Sequence, residues 1–149
     1  MAKTQQFPSR RTLLGTVGAS LLAGMAFAQA VPPQGGTMSA PDAHALARSG
    51  DITLIDIRRP DEWAQTGSGE GAHRLDMRRQ DFVPELLKIL SGDTDTPIAI
   101  ICARGVRSKW LTAALINAGL THVIDVPEGM VGSNAGPGWV ARGLPLVKG

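Results

Sequence analysis

Pro97-Ile98-Ala99-Ile100-Ile101-Cys102-Ala103-Arg104-Gly105-Val106-Arg107-Ser108 is the stretch on which the fold turns. Its opening residues form an unbroken apolar run, the pattern of a strand covered on both faces. The run ends at Cys102 and gives way to a short glycine-containing segment. Ser108 then reads as an N-cap for a helix whose apolar face carries Leu111, Ala114, Leu115 and Ala118 and which stops at Gly119. His122-Val123-Ile124-Asp125-Val126 follows as another strand, with no hairpin signal before it. Strand, helix and strand in this order predict a parallel βαβ unit.

Working outward, Ile52-Thr53-Leu54-Ile55-Asp56-Ile57 is another β-branched, apolar run. Before it, Ser39 with Asp42 resembles a capping box, opening a small helix that ends at Gly50. After it, Pro60-Asp61-Glu62-Trp63-Ala64 suits a helix start, with proline in the first turn and carboxylates toward the positive end of the dipole. Residues 66–71 read as a glycine-punctuated loop, and Phe82, Val83, Leu86, Leu87 and Leu90 recur at helical spacing. The segment from Gly129 to Leu146 carries five Gly and two Pro and reads as mostly ordered loop. The expectation is one α/β domain over residues 39–147, a parallel β-sheet flanked by helices on both faces.

The chain has 149 residues, which suits one core. Lys3, Arg10 and Arg11 lie in a leader without carboxylates, and the remainder holds 12 Lys+Arg against 13 Asp+Glu. That near-neutral balance argues against a nucleic-acid partner, and Arg74, Arg78 and Arg79 are offset by Asp76 and Asp81. A single cysteine excludes an internal disulfide framework and CxxC metal, redox or haem sites. His44, His73 and His122 share no ligand spacing and read as surface or core residues, so no metal is expected.

Two adjacent arginines, Arg10 and Arg11, precede an uncharged stretch from Thr12 to Ala28 that ends in Ala26-Phe27-Ala28. This is the three-part layout of an export signal, and the twin arginine resembles the Tat signature. The expectation is a Tat-type signal over residues 1–28 cleaved after Ala28, or after Ala30. The Tat translocase would then be a transient partner and the mature form periplasmic and not membrane-embedded. An uncleaved anchor is the alternative. Residues 29–38, with Val31-Pro32-Pro33-Gln34-Gly35-Gly36, read as a flexible linker.

Cys102 stands where ligands bind in open parallel sheets, beyond the carboxyl end of a strand. Residues 103–108 offer main-chain N–H groups, the following helix its positive end, and Arg104 and Arg107 two cations, all of which favour a thiolate. Gly105 permits the positive φ of a tight curl. A buried, inert cysteine is the competing reading, and it leaves the two arginines unexplained.

Cys102-Ala-Arg-Gly-Val-Arg-Ser resembles the CxxGxR[ST] active-site loop of rhodanese-family sulfurtransferases. In order along the chain, Leu54-Ile55-Asp56-Ile57-Arg58 with Asp61-Glu62-Trp63 resembles the family's "IDVR…E[YF]" segment, and Gly71-Ala72 its "GA" turn. Ala118-Gly119-Leu120 with Val123 resembles "aGf…V", and Gly129-Met130, Trp139 and Gly143-Leu144-Pro145 resemble "GG…W…G.P". Gly67-Ser68-Gly69-Glu70-Gly71-Ala72 lacks the histidine of the usual "GHIPGA". Residues 131–138 exceed the usual connection, and Glu128 replaces a typical glycine.

The resemblance implies a rhodanese-like domain acting by two-step sulfur transfer. Cys102 would be the catalytic nucleophile, carrying a persulfide between a small anionic donor such as thiosulfate and a thiol, cyanide or protein acceptor. Ala103, Arg104, Gly105, Val106, Arg107 and Ser108 would bind substrate. Arg107 would combine donor binding with loop bracing, whereas Arg104 could be pocket-facing or solvated. Asp56 and Arg58 would form an ion pair, beneath the loop or simply at the strand end. Trp139 reads as core. A periplasmic persulfide carrier without efficient turnover is one alternative. A cysteine phosphatase or arsenate reductase is another, although that chemistry uses Cys-x5-Arg and Cys102 to Arg107 is Cys-x4-Arg.

Overall fold

The computed structural model describes residues 30–149, so the expected export signal lies outside the described residues. A four-stranded sheet in the order β3-β1-β4-β5 forms the centre. β1 (Thr53–Asp56), β3 (Ala72–Arg74), β4 (Ile98–Ile101) and β5 (Val123–Asp125) are all parallel. β2 (Ser68–Gly69) pairs antiparallel with β6 (Leu146–Val147) at the margin. The three apolar runs became β1, β4 and β5, as expected; β3 was not anticipated, because its polar Ala-His-Arg sequence carries no strand signal.

Alternation along the strands divides the core in two. Ile55, Ile57, Ile98, Ile100, Cys102 and Val123 face one side. There they meet Phe82 and Leu86 of α3 (Phe82–Ile89) and Leu111 and Leu115 of α4 (Val106–Asn117). Leu54, Ala99, Ile101 and Ile124 face the other side, against Ala43 and Leu46 of α1 (Ala40–Ser49) and Trp139 of α5 (Gly138–Ala141). Leu54, Ile55, Leu86, Ile98 and Ile100 are wholly buried, so truncating any one of these to alanine costs about 2–5 kcal/mol. Trp139 is core, as expected, and its indole N–H donates to the Pro145 carbonyl at 2.9 Å.

Local chemistry accounts for the helix boundaries. Asp42 N–H donates to Ser39 Oγ at 3.3 Å, and Gly50 closes α1 at φ +82°. Pro60 begins α2 (Pro60–Thr66), and Arg59 N–H donates to the Glu62 carboxylate at 3.0 Å.

Two expectations need correction. Residues 35–38 are not a free linker: Gly35 N–H donates to the Val123 carbonyl, Asp125 N–H to the Gly36 carbonyl and Met38 N–H to the Asp125 carbonyl. The exposed edge of β5 needed partners for its main-chain groups, and this segment supplies them. Ser108 is not an N-cap, because Gly105, at φ +82°, takes that place and α4 starts at Val106.

The sheet order creates a switch point. From β1 the chain leaves through α2 toward β3 on one side, and from β4 it leaves through α4 toward β5 on the other. A cleft therefore opens beyond the carboxyl ends of β1 and β4, and Cys102 is the first residue past β4. Among the described residues no helix is long and apolar enough to cross a membrane.

Candidate active site

The Cys102 sulfur sits inside the curl made by the residues after it. Gly105 N–H donates to Sγ at 3.1 Å, and Ser108 Oγ lies 3.5 Å from it. Gly105 is required here, since a Cβ at this position would collide with the Pro127 carbonyl in addition to straining the positive φ. Ser108 is fully buried because its hydroxyl turns inward toward the sulfur. The segment after β5 clasps the loop from outside: Met130 N–H donates to the Cys102 carbonyl at 2.9 Å and Val131 N–H to the Ala103 carbonyl at 3.0 Å.

Only 1% of Cys102 is exposed. A depression of about 350 Å³ lies at the switch point, lined by Arg58, Glu62, Thr66, Ala103, Arg104 and Val131 among others. Cys102 does not itself line it.

Arg107 is bound to Glu62, with Nη1 to Oε2 at 2.9 Å and Nη2 to Oε1 at 2.6 Å. These hydrogen bonds, outweighing the opposing effect of burial, hold the Glu62 carboxyl down to about 2. The same bonds raise Arg107 above its ordinary value. Of the two tasks expected of Arg107, bracing is the one its contacts show, since α4 is tied to α2 across the cleft. Glu62 was read from sequence only as a helix-start carboxylate; its place in the "E[YF]" segment was the available signal.

Asp56 and Arg58 do pair, with Nη2 to Oδ2 at 2.7 Å, and both are buried. Arg58 also donates to Thr66 Oγ1 at 2.9 Å and the Gly67 carbonyl at 2.7 Å, so the pair anchors the end of α2 while Arg58 lines the depression. Arg104 is exposed, borders the depression and makes no ion pair among the described residues. Val106 is exposed and Ala103 half-buried. His44 pairs with Glu70 at 2.8 Å and His122 meets the Pro32 carbonyl at 2.7 Å, each on a different element. No cluster of potential metal ligands occurs among the described residues.

The rhodanese-like domain model matches residues 39–135. The chain belongs to the rhodanese-like family. Among relatives, a sulfurtransferase of Allochromatium vinosum is 32% identical over 102 residues, covering 68% of this chain and 84% of that one. Among solved structures, the polysulfide-sulfur transferase of Wolinella succinogenes superposes with a TM-score of 0.59 at 28% identity, covering 75% of this chain and 77% of that one. A Rhodopseudomonas palustris protein described as a possible tyrosine phosphatase gives a TM-score of 0.56 at 26% identity, covering 75% and 84%. The rhodanese-like domain here thus has sulfurtransferase relatives, and its α/β fold is the family's.

Proposed function

We propose that this chain is a sulfurtransferase that carries sulfane sulfur on Cys102. The observation that carries the reading is the Gly105 N–H aimed at Sγ from 3.1 Å at the switch point of the sheet. The Gly105 N–H is a preorganised main-chain donor placed to hydrogen-bond Sγ in both resting forms of the enzyme.

With thiosulfate as donor, the Cys102 thiolate attacks the outer sulfur. The donor's S–S bond breaks, sulfite leaves with its electron pair, and a Cys102 persulfide remains. An acceptor thiolate or cyanide then attacks the outer sulfur of that persulfide. The bond to Sγ breaks, the thiolate is restored, and the acceptor leaves as a persulfide or as thiocyanate. Neither half-reaction needs an external oxidant. Arg104, free of carboxylates and beside the depression, is the cation best placed for the donor's charge, while Arg107 holds the loop in shape.

Thiosulfate is the donor of choice for testing, and polysulfide, named for the Wolinella protein, is its competitor. Phosphate chemistry is disfavoured because the loop is Cys-x4-Arg and its Arg107 is already bound by Glu62. Export by a twin-arginine route to the periplasm is part of the same reading and rests on residues 10–28 alone. The test is the intact mass after incubation with thiosulfate. Wild type gains one sulfur atom, reversible by cyanide, and Cys102→Ser gains none. Rapid cleavage of an aryl phosphate without release of sulfite from thiosulfate would overturn the proposal.

A further inference from the structure

Immediately past the sulfur-holding loop, α4 presents an apolar pair to solvent. Val106 is 77% exposed and Trp110 is 63% exposed, and their spacing of one helical turn sets them side by side. Arg104 and Lys109 are exposed beside them. Elsewhere the described arginines and lysines close ion pairs, except for Arg74 and Lys148 at the β3 and β6 margin. Two unneutralised cations framing an exposed tryptophan and valine are the composition of a binding patch, since buried Trp and Arg dominate the energy of interfaces.

The patch continues into a groove of about 340 Å³. One bank is Arg104, Gly105, Val106 and Lys109, and the other is Ser133, Asn134 and Ala135 from the extended connection after β5. That connection is held in place: Ser133 Oγ donates to the Pro127 carbonyl at 2.8 Å, and Ser133 and Gly136 bridge across its tip. The groove thus runs from Val106 and Lys109, beside Trp110 on α4, to Gly105, which donates to the Cys102 sulfur.

We propose that this face of α4 docks a protein sulfur acceptor, whose reactive cysteine lies in a segment carrying acidic residues and a large apolar side chain. The inference rests on the sulfur-transfer reading and names its acceptor class. The unpaired Arg104 and Lys109 select the acidic character, Val106 and Trp110 the apolar one, and the shared Gly105 places the incoming thiol at the loop. A second copy of this chain is a poor occupant, because the same two cations would oppose themselves across a symmetric contact.

The test uses the full chain and three synthetic peptides, each with one cysteine. One is flanked by glutamates and leucines, one by lysines and leucines, and one by glutamates and serines. Sulfur transfer from the Cys102 persulfide is followed by mass, with rates expressed per peptide thiolate so that thiol acidity cancels. The glutamate–leucine peptide is expected to react about tenfold faster than either other peptide at low salt, the charge-dependent part shrinking at high salt. Lys109→Glu removes the preference for glutamate over lysine, and Trp110→Ala the preference for leucine over serine. Loading by thiosulfate and discharge to cyanide stay within about twofold in both variants. Equal rates for the three peptides on wild type, or preferences unmoved by both variants, overturn the docking surface.

A serine-for-cysteine version of the glutamate–leucine peptide separates the two ideas, because its binding needs no sulfur. Amide shifts confined to residues 104–110 and 133–135 support docking even if thiosulfate fails to load Cys102, which would sink only the transferase reading. Absence of those shifts at millimolar peptide overturns docking while leaving transfer intact.

Discussion

Two connections leave the carboxyl edge of the sheet side by side, and each encloses an anionic or potentially anionic group. After β4 it is the Cys102 sulfur, held by Gly105 N–H and neighboured by Ser108. After β5 it is Glu128, 2% exposed, whose Oε1 accepts from Ala40 N–H at 2.6 Å and whose Oε2 accepts from Gly138 N–H at 3.0 Å and Arg142 Nε at 2.7 Å. The donors are of the same kind, main-chain N–H groups at helix starts with a nearby arginine. The outcome differs in how completely each is satisfied. Glu128 has its guanidinium in direct contact and is finished as a structural staple between α1 and α5. Arg107, one of the two loop arginines after Cys102, is kept on Glu62 and does not close on the sulfur as Arg142 closes on Glu128.

The largest effect expected from breaking the first enclosure is on chemistry alone. Cys102→Ser should lower thiosulfate-to-cyanide transfer by about a thousandfold or more while shifting the unfolding free energy by about 1 kcal/mol or less. Sulfite release and urea unfolding on the same preparation check both halves. Breaking the second should do the reverse. Glu128→Ala strands Arg142 and two helix-start N–H groups and should cost about 3–5 kcal/mol, with the folded fraction still able to load sulfur. If Glu128→Ala instead abolishes loading in protein that remains folded, the division of labour between the two connections is wrong.

Glu62→Gln sharpens the contrast because Glu62 serves the reactive loop without touching the sulfur. Loss of the paired bonds to Arg107 should slow sulfur loading about 10- to 100-fold and lower stability by about 1–2 kcal/mol. The acid limb carries the signature. The folded-state value is about 2 against an ordinary 4.5, so the stabilisation is complete above pH 4.5 and disappears as pH falls from there toward 2. Urea midpoints measured across that window should fall steeply in wild type and less steeply in Glu62→Gln. Parallel curves would show that Arg107 finds its partner elsewhere.

What could be read from sequence was what is local. The apolar runs of β1, β4 and β5, the Ser39 and Gly50 caps of α1, and the loop from Cys102 to Arg107 each depend on neighbours within a few residues. The α4 start was misplaced because Ser108 carries the chemistry of a cap, while its hydroxyl is buried against the sulfur and glycine supplies the conformation instead. The Glu62 to Arg107 pair joins residues 45 apart and the Ala40 to Glu128 bond residues 88 apart, and neither leaves a periodic trace. Glu128 was noticed only as a departure from glycine, and residues 35–38 were taken for a linker because their bonds are to a strand edge that exists only after folding.

The smallest effect concerns Asp125, the last residue of β5, which lies between the two connections and belongs to neither. It is 5% exposed, and its Oδ1 is buried without a hydrogen-bond partner. It lines a cavity of about 360 Å³ with Lys109 and Thr112, whose hydroxyl is likewise buried and unpartnered. Burial pushes its carboxyl above the ordinary range, against the weaker pull of Ser108 and the Lys109 charge. A raised acid holds its proton longer in the folded chain than in the unfolded one. Its contribution to stability is therefore complete at pH values below the unfolded value and declines as pH rises through the folded one. Asp125→Asn keeps the shape and removes that loss, so at neutral pH it should be more stable than wild type by about 1 kcal/mol, the gain vanishing in acid. Unlike Glu62, whose variant loses a slope below the ordinary carboxyl value, this variant should lose a slope that lies above it. If Asp125→Asn is instead destabilised at neutral pH, the carboxylate is charged and paired, and a third anion enclosure must be added to the two at the sheet edge.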